Sequence, residues 1–267
     1  KPSNDLSVIN RGEIVQTFET SLSYDKVLNE IHKLSAIGVY SVQESNFEVE
    51  SQSTNNLLST TTPYMDASTG DIRAFGSASD WALISYTGRI NYSLLDRYLF
   101  SASVRRDGSS RFGKNNRWAI FPAFSVGWRL GDESFIQSIG FISDLKLRGS
   151  WGQSGNQEIG LYGFVGSLSN DQRYVFGENQ DIVPGVSPVS LANPDLKWET
   201  TTQTNIGLDA GLFDNKLEFT ANYYIKSTED MLVRVPIPNH SGITEFPFVN
   251  AGSMENKGWE FSLGIDN

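Results

Sequence analysis

The chain has 267 residues, of which 39% are hydrophobic and 12% aromatic, with a formal net charge of −10 and no cysteine. Disulfide frameworks and thiolate metal sites are excluded. His32 and His240 stand too far apart in sequence to suggest an imidazole cluster, and the acidic balance argues against nucleic-acid binding. No apolar run approaches the ~18–20 residues of a membrane-spanning helix, so a membrane would have to be crossed by strands.

Period-2 alternation dominates from one end to the other. Residues 11–24 predict a weak strand and 30–50 a long one. Residues 81–94 set Ile84, Tyr86, Ile90 and Tyr92 against Ser85, Arg89 and Asn91, and 98–106 set Phe100, Ala102 and Val104 against Ser101, Ser103 and Arg105. Strands follow at 117–130, 144–154, 198–212, 216–228 and 258–266. That makes about nine strands by pattern. A helical turn is expected in Asp132–Gln137.

The connections sort by length. Asp25–Asn29, Leu95–Arg97 and Asp214–Asn215 are short, and Gly131–Ser143 is of medium length. The connections 51–80, 107–116, 155–197 and 229–257 are long. Followed up and down, short ones fall at one end of the sheet and long ones at the other, the pattern of an outer-membrane barrel. Several strands also exceed the 5–6 residues usual in soluble proteins.

Trp118, Trp151, Trp198 and Trp259 fall at the long-loop ends of their strands and Trp128 near the other end, all in phase with the apolar side. This predicts interfacial girdles, with the apolar stripe facing lipid. The opposite face carries Arg89, Lys146, Arg148, Asp209, Glu218 and Lys226, as a wet or plugged lumen would. A core role for these tryptophans in a β-sandwich is the competing explanation.

Four blocks carry a family resemblance: "RRDGSSRFGKNNRW" (105–118), "DLKLRGSWGQSGNQEIG" (144–160), the run from Asn193 to Leu232, and "VNAGSMENKGWEFSLGI" (249–265). Together they resemble the C-terminal half of the SusC/RagA family, TonB-dependent outer-membrane transporters of Bacteroidetes-type bacteria. The resemblance extends from Trp81 to the end, while residues 1–80 fit as preceding barrel strands without a distinctive motif. It implies an all-β antiparallel transmembrane barrel of 22 strands of which this chain supplies part. It further implies an N-terminal plug, coupling to TonB, a SusD-like surface lipoprotein as lid, and import of an oligosaccharide or, in some members, a peptide. The chain starts at Lys1 without signal peptide, plug or TonB box, so residues 1–267 are expected to be part of the barrel domain of something longer.

No catalytic constellation stands out, and no enzyme activity is expected. Asp132-Glu133 and Glu229-Asp230 are adjacent carboxylates, but neighbours on a strand point to opposite faces. Asp66, Asp71, Asp171 and Asp181 are hard oxygen ligands of the type that hold calcium, scattered without an EF-hand spacing. No cofactor is expected, with loop-bound calcium the minor alternative.

The 155–197 loop is the best candidate for touching cargo or partner, through Tyr162, Phe164, Arg173, Tyr174 and Phe176. Aromatic faces beside planar polar groups suit sugar or peptide recognition. Self-packing of a hairpin extension is the competing explanation. In the 229–257 loop, His240 and Phe246 are candidates for the SusD-like partner. The basic stretch 105–117 suggests phosphate binding, including lipopolysaccharide at the outer rim, but lacks P-loop spacing. An architectural role is preferred, with a turn at Asp107-Gly108 and arginines paired to carboxylates. The alternative function is a surface or secreted β-sandwich module that binds glycans without transport.

Overall fold

A computed structural model describes residues 4–59, 61 and 63–265, the side chains of Asp171, Gln172 and Asn239 excepted. In chain order the elements are β1 (Leu6–Leu28), β2 (His32–Thr54), β3 (Arg73–Leu94), β4 (Tyr98–Ser109), β5 (Trp118–Arg129), the single-turn helix α1 (Ser134–Gln137) and β6 (Ile142–Asn156). There follow β7 (Leu168–Phe176), β8 (Asp181–Pro188), β9 (Glu199–Leu212), β10 (Leu217–Glu229), β11 (Leu232–Arg234), β12 (Phe248–Asn250) and β13 (Met254–Ile265). Nine strands form one sheet in the order β1-β2-β3-β4-β5-β6-β9-β10-β13, an up-and-down meander. The pairs β7-β8 and β11-β12 are separate two-stranded ribbons.

The chain divides into two units, Lys1–Phe18 with Val42–Leu83, and Glu19–Ser41 with Ile84–Asn267. In the first, the 55–72 connection is ordered by a 3-10 turn, Met65–Ala67, and a bridge between Leu57 and Ser68. Leu57 is buried there, and Ser45 Oγ donates to Glu13 at 2.9 Å.

The second unit holds the rest. Its turns 29–31, 95–97 and 213–216 are tight, with positive φ at Asn29, Glu30, Leu95, Asp96, Phe213, Asp214 and Asn215. The first turn falls at Asn29–Ile31, later than the predicted 25–29, because Asn29 and Glu30 take the left-handed conformation that a two-residue hairpin needs. At the other end the connections are 110–117, 157–198 and 230–253.

Two differences from the sequence reading share a cause. β1 begins at Leu6 and β3 at Arg73, well before the predicted 11 and 81. Alternation is visible only where one face is apolar, whereas backbone pairing continues past it. Asp107-Gly108 is no turn: both lie inside β4, opposite Ala119 and Trp118. The turn comes further on, in 110–117.

Register confirms the two faces. Phe100 faces Val126, Ala102 faces Phe124 and Arg106 faces Ile120 on one side of β4-β5, and Ser101 faces Ser125 on the other. On the apolar side Phe100, Val104, Ile120, Phe124 and Val126 are all exposed. No second sheet of the kind a β-sandwich requires covers them among the described residues. A water-soluble sheet would have to bury that stripe; a barrel wall turns it to lipid.

Candidate functional site

Above the wall, three loops that are distant in sequence form one bonded layer. Phe112 of the 110–117 loop and Leu196 of the 157–198 loop are fully buried. Trp198 packs on Phe112 (ring centroids 5.0 Å) and edge-on against Phe121 of β5 (5.6 Å), and its Nε1 donates to the Arg117 carbonyl at 3.2 Å. Trp198 is 6% exposed and is no girdle residue. It precedes the first residue of β9, so strand parity does not orient it, and an inward-facing phenylalanine receives it.

Hydrogen bonds tie the third loop in. Asn250 Nδ2 donates to the carbonyls of Lys197 (2.8 Å) and Asp230 (2.9 Å), while its Oδ1 accepts from Lys197 N–H. Asn193 Nδ2 donates to the Phe248 carbonyl at 2.8 Å, and Asn116 Nδ2 to the Asp195 carbonyl at 2.9 Å. Lys197 pairs with Asp230 at 2.7 Å. These bonds satisfy backbone groups that an irregular chain would otherwise leave bare.

Two arginines of the basic stretch are consumed in this architecture. Arg105 Nε bonds both oxygens of the buried Asp107 at 2.7 and 2.8 Å, and its Nη2 reaches Ser85 Oγ at 3.1 Å. Arg111 Nη1 donates to the Ile159 carbonyl at 3.0 Å and meets Glu158 at 3.3 Å. Gly155 is required by packing: a Cβ there would collide with the ring of Phe121, and hence with the seat of Trp198.

The predicted contact residues separate into groups. Tyr162 and Phe246 come together, lining a cleft of about 240 Å³ with Arg234, Glu245 and Phe248. Arg234 lies over the Phe248 ring at 4.7 Å. Tyr162 holds a φ of +61°, a conformation that bulky residues rarely adopt. Phe164 instead packs near Gly113. Arg173, Tyr174 and Phe176 stand exposed on the β7-β8 ribbon, with Tyr174 and Phe176 rings 6.5 Å apart. His240 lies in a 3-10 turn, Asn239–Ser241, and does not line the cleft. The sequence reading missed Phe112, Leu196, Asn193 and Asn250. The available signal was an apolar residue stranded in a polar loop, as in "SSRFGKNN" and "NPDLKW".

No group of three or more His, Asp or Glu side chains converges among the described residues. Asp66 sits in the first unit's 3-10 turn, Asp71 follows it, and Asp181 opens β8. The side chain of Asp171 lies outside the described residues.

The inward face carries a polar network. Arg148 on β6 bonds Asp209 on β9 through Nε (3.0 Å) and Nη2 (3.4 Å), and Nη2 also reaches Asn222 on β10. Thr220 Oγ1 donates to Asp209 at 3.2 Å. At the short-turn end, Glu133 accepts from Tyr98 Oη (2.7 Å) and Trp128 Nε1 (3.2 Å), with Arg97 at 3.5 Å. The Tyr98 and Trp128 hydrogen bonds hold the Glu133 carboxyl below its usual range, and Arg97 adds to the effect.

Trp118, Trp128, Trp151 and Trp259 all lie on the outward face. Trp151 stacks on Phe124 (5.3 Å) and Trp259 on Phe261 (5.9 Å). Trp118 and Trp128 are ten residues apart on β5. At about 3.3 Å per residue and a tilt of about 40°, that rises about 25 Å, the height of the apolar band of an outer-membrane barrel.

A meander with an exposed apolar face, a hydrogen-bonded polar face and loops sorted by length is a segment of a transmembrane β-barrel wall. The profile of the family described as TonB dependent receptor-like, beta-barrel matches residues 4–266. A TonB-dependent receptor of Formosa agariphila is 37% identical over 97% of this chain and 25% of its own length. The TonB-dependent receptor SusC of Bacteroides thetaiotaomicron is 42% identical over 68% of this chain and 18% of its own. The solved RagAB peptide transporter superposes with a TM-score of 0.86 at 31% identity, over 96% of this chain and 28% of that one. The chain belongs to the TonB-dependent receptor β-barrel family, in its SusC/RagA branch, and its place is the bacterial outer membrane. It spans about a quarter of the length of the Formosa relative.

Proposed function

We propose that this chain forms the wall and part of the outer loop layer of a TonB-dependent importer of oligosaccharide or peptide that works with a SusD-type surface lipoprotein. Cargo delivered by the lipoprotein lid enters from the loop side, TonB acting on a plug opens the path, and cargo passes along the polar inner face. No bond is made or broken. The observation that carries this reading is the match over nearly the whole chain to the RagAB peptide transporter, at a level of identity that extends beyond fold.

The loop layer supports it physically. A platform held by buried aromatics and side-chain amides presents the Tyr162–Phe246 cleft and the exposed β7-β8 ribbon to the outside without further ordering cost. In this reading the cleft contacts cargo and the ribbon, with the 3-10 turn at His240, faces the lipoprotein. Trp118, Trp128, Trp151 and Trp259 anchor the wall at or near the two lipid interfaces.

The test is uptake of labelled oligosaccharides and of labelled peptides by cells carrying the intact receptor, with TonB present and absent, together with co-purification of the lipoprotein. TonB-dependent uptake of one class supports the reading. Uptake of neither class, or uptake indifferent to TonB, overturns it.

A further inference from the structure

The outward face of the second unit carries a groove of about 800 Å³ that alternation alone does not require. Gly38 on β2 and Gly88 on β3 both line it. A Cβ at either would meet nothing within 4 Å, and neither backbone is left-handed. Glycine inside a strand weakens it unless something else approaches closely. Here two glycines on neighbouring strands open one depression. Leu22, Tyr40, Tyr86, Val104 and Ile120 wall it, with Tyr40 and Tyr86 rings 5.2 Å apart.

Arg106 stands at the long-loop end of this groove. It faces Ile120 across β4-β5, and its guanidinium lies over the Trp118 ring at 4.5 Å. Its neighbours on the strand, Arg105 and Asp107, are bonded to each other on the opposite face. The ring covers one face of the guanidinium and leaves its N–H edge for an anion. A cation on the lipid side costs about 2–4 kcal/mol at mid-membrane and about 0–1 near the interface that Trp118 marks. An arginine beside the outer leaflet, at the mouth of an apolar groove, has the charge and the fork geometry for a phosphate.

We infer that this groove binds a phosphate-bearing lipid of the outer leaflet, its phosphate on Arg106 and an acyl chain over Gly38 and Gly88. The site is outside the import path and independent of what is imported.

The experiment uses the intact receptor in phosphatidylcholine nanodiscs doped with lipid A, read by native mass spectrometry. Wild type retains lipid A. Arg106→Gln, or lipid A stripped of phosphate, weakens retention about tenfold, the loss expected for one charge-assisted contact. Gly88→Leu and Gly38→Leu fill the groove and displace the lipid while heat-modifiable folding is unchanged, because a Cβ at either position meets nothing within 4 Å. Equal retention by wild type and all three variants overturns the inference. So does displacement of lipid A by inorganic phosphate with Gly88→Leu neutral, or a lipid-free dimer joined through this face. TonB-dependent uptake in the same variants is measured separately, so failure of the lipid site leaves the import reading intact.

Discussion

The wall and the loop layer solve opposite solvent problems with the same residues. In the wall, Phe124, Ile206, Phe261 and Leu263 point away from the protein and are more than half exposed. In the loop layer, Phe112, Ile159, Val189, Leu196 and Trp198 point inward and are buried. The wall leaves its apolar surface for lipid and draws its cohesion from strand pairing and polar inner contacts such as Arg148–Asp209. The layer works as a small soluble core would, by removing apolar surface from water. An aromatic residue in this chain therefore has no fixed meaning: Trp118 and Trp198 are both near the loop end, one against lipid and one in a core.

That contrast can be broken from either side, and the largest effect is expected in the layer. Trp198→Ala removes the ring seated between Phe112 and Phe121 and costs about 3–5 kcal/mol of local stability. Limited proteolysis should then cut within 157–198 while the heat-modifiable wall persists. Unchanged protease resistance would mean the layer has no common core. In the wall, Phe124→Arg places a charge between Trp118 and Trp128 and costs about 2–4 kcal/mol. Ser125→Arg, one residue on and facing the other way, should be tolerated in the same folding assay into lipid vesicles. Gly155→Val drives a side chain into Phe121 and costs about 1–3 kcal/mol, read as a lower Tm of the layer. A double variant with Trp198→Ala should lose less than the sum, since both act on one seat.

The smallest effect concerns pH. The Glu133 carboxyl is depressed in the folded chain by Tyr98 and Trp128. Its contribution is complete above the ordinary glutamate value, about 4.3, and is lost as pH falls through the lowered folded value. Acid titration of tryptophan fluorescence should show this step, and Glu133→Gln should flatten it.

Much of the wall was legible in the sequence because lipid on one side and water on the other write a period of two into the chain. Ile84 to Leu94 and Phe219 to Ile225 show it plainly, and the nine-stranded count follows. The ribbon β7-β8 was not legible: it is wet on both sides, so no alternation marks it. The Trp198 seat was missed for a related reason. Its partner Phe112 comes from a loop more than eighty residues earlier, and only the fold brings them together. Tyr162 and Phe246 were chosen as aromatic loop residues, and their shared cleft could not be read from spacing.

The assignment of the apolar face to lipid is tested most directly on β5, whose even-numbered side should face it. The chain has no cysteine, so single spin labels placed at each position from 118 to 128 of the intact receptor report each site alone once other cysteines are replaced. Accessibility to oxygen, which concentrates in lipid, should peak at 120, 124 and 126. Accessibility to a water-soluble nickel chelate should peak at 123, 125 and 127, while 121, buried beneath Trp198, should be closed to both reagents. A period of two in this phase is the predicted result; water access on both faces, or the opposite phase, would contradict it.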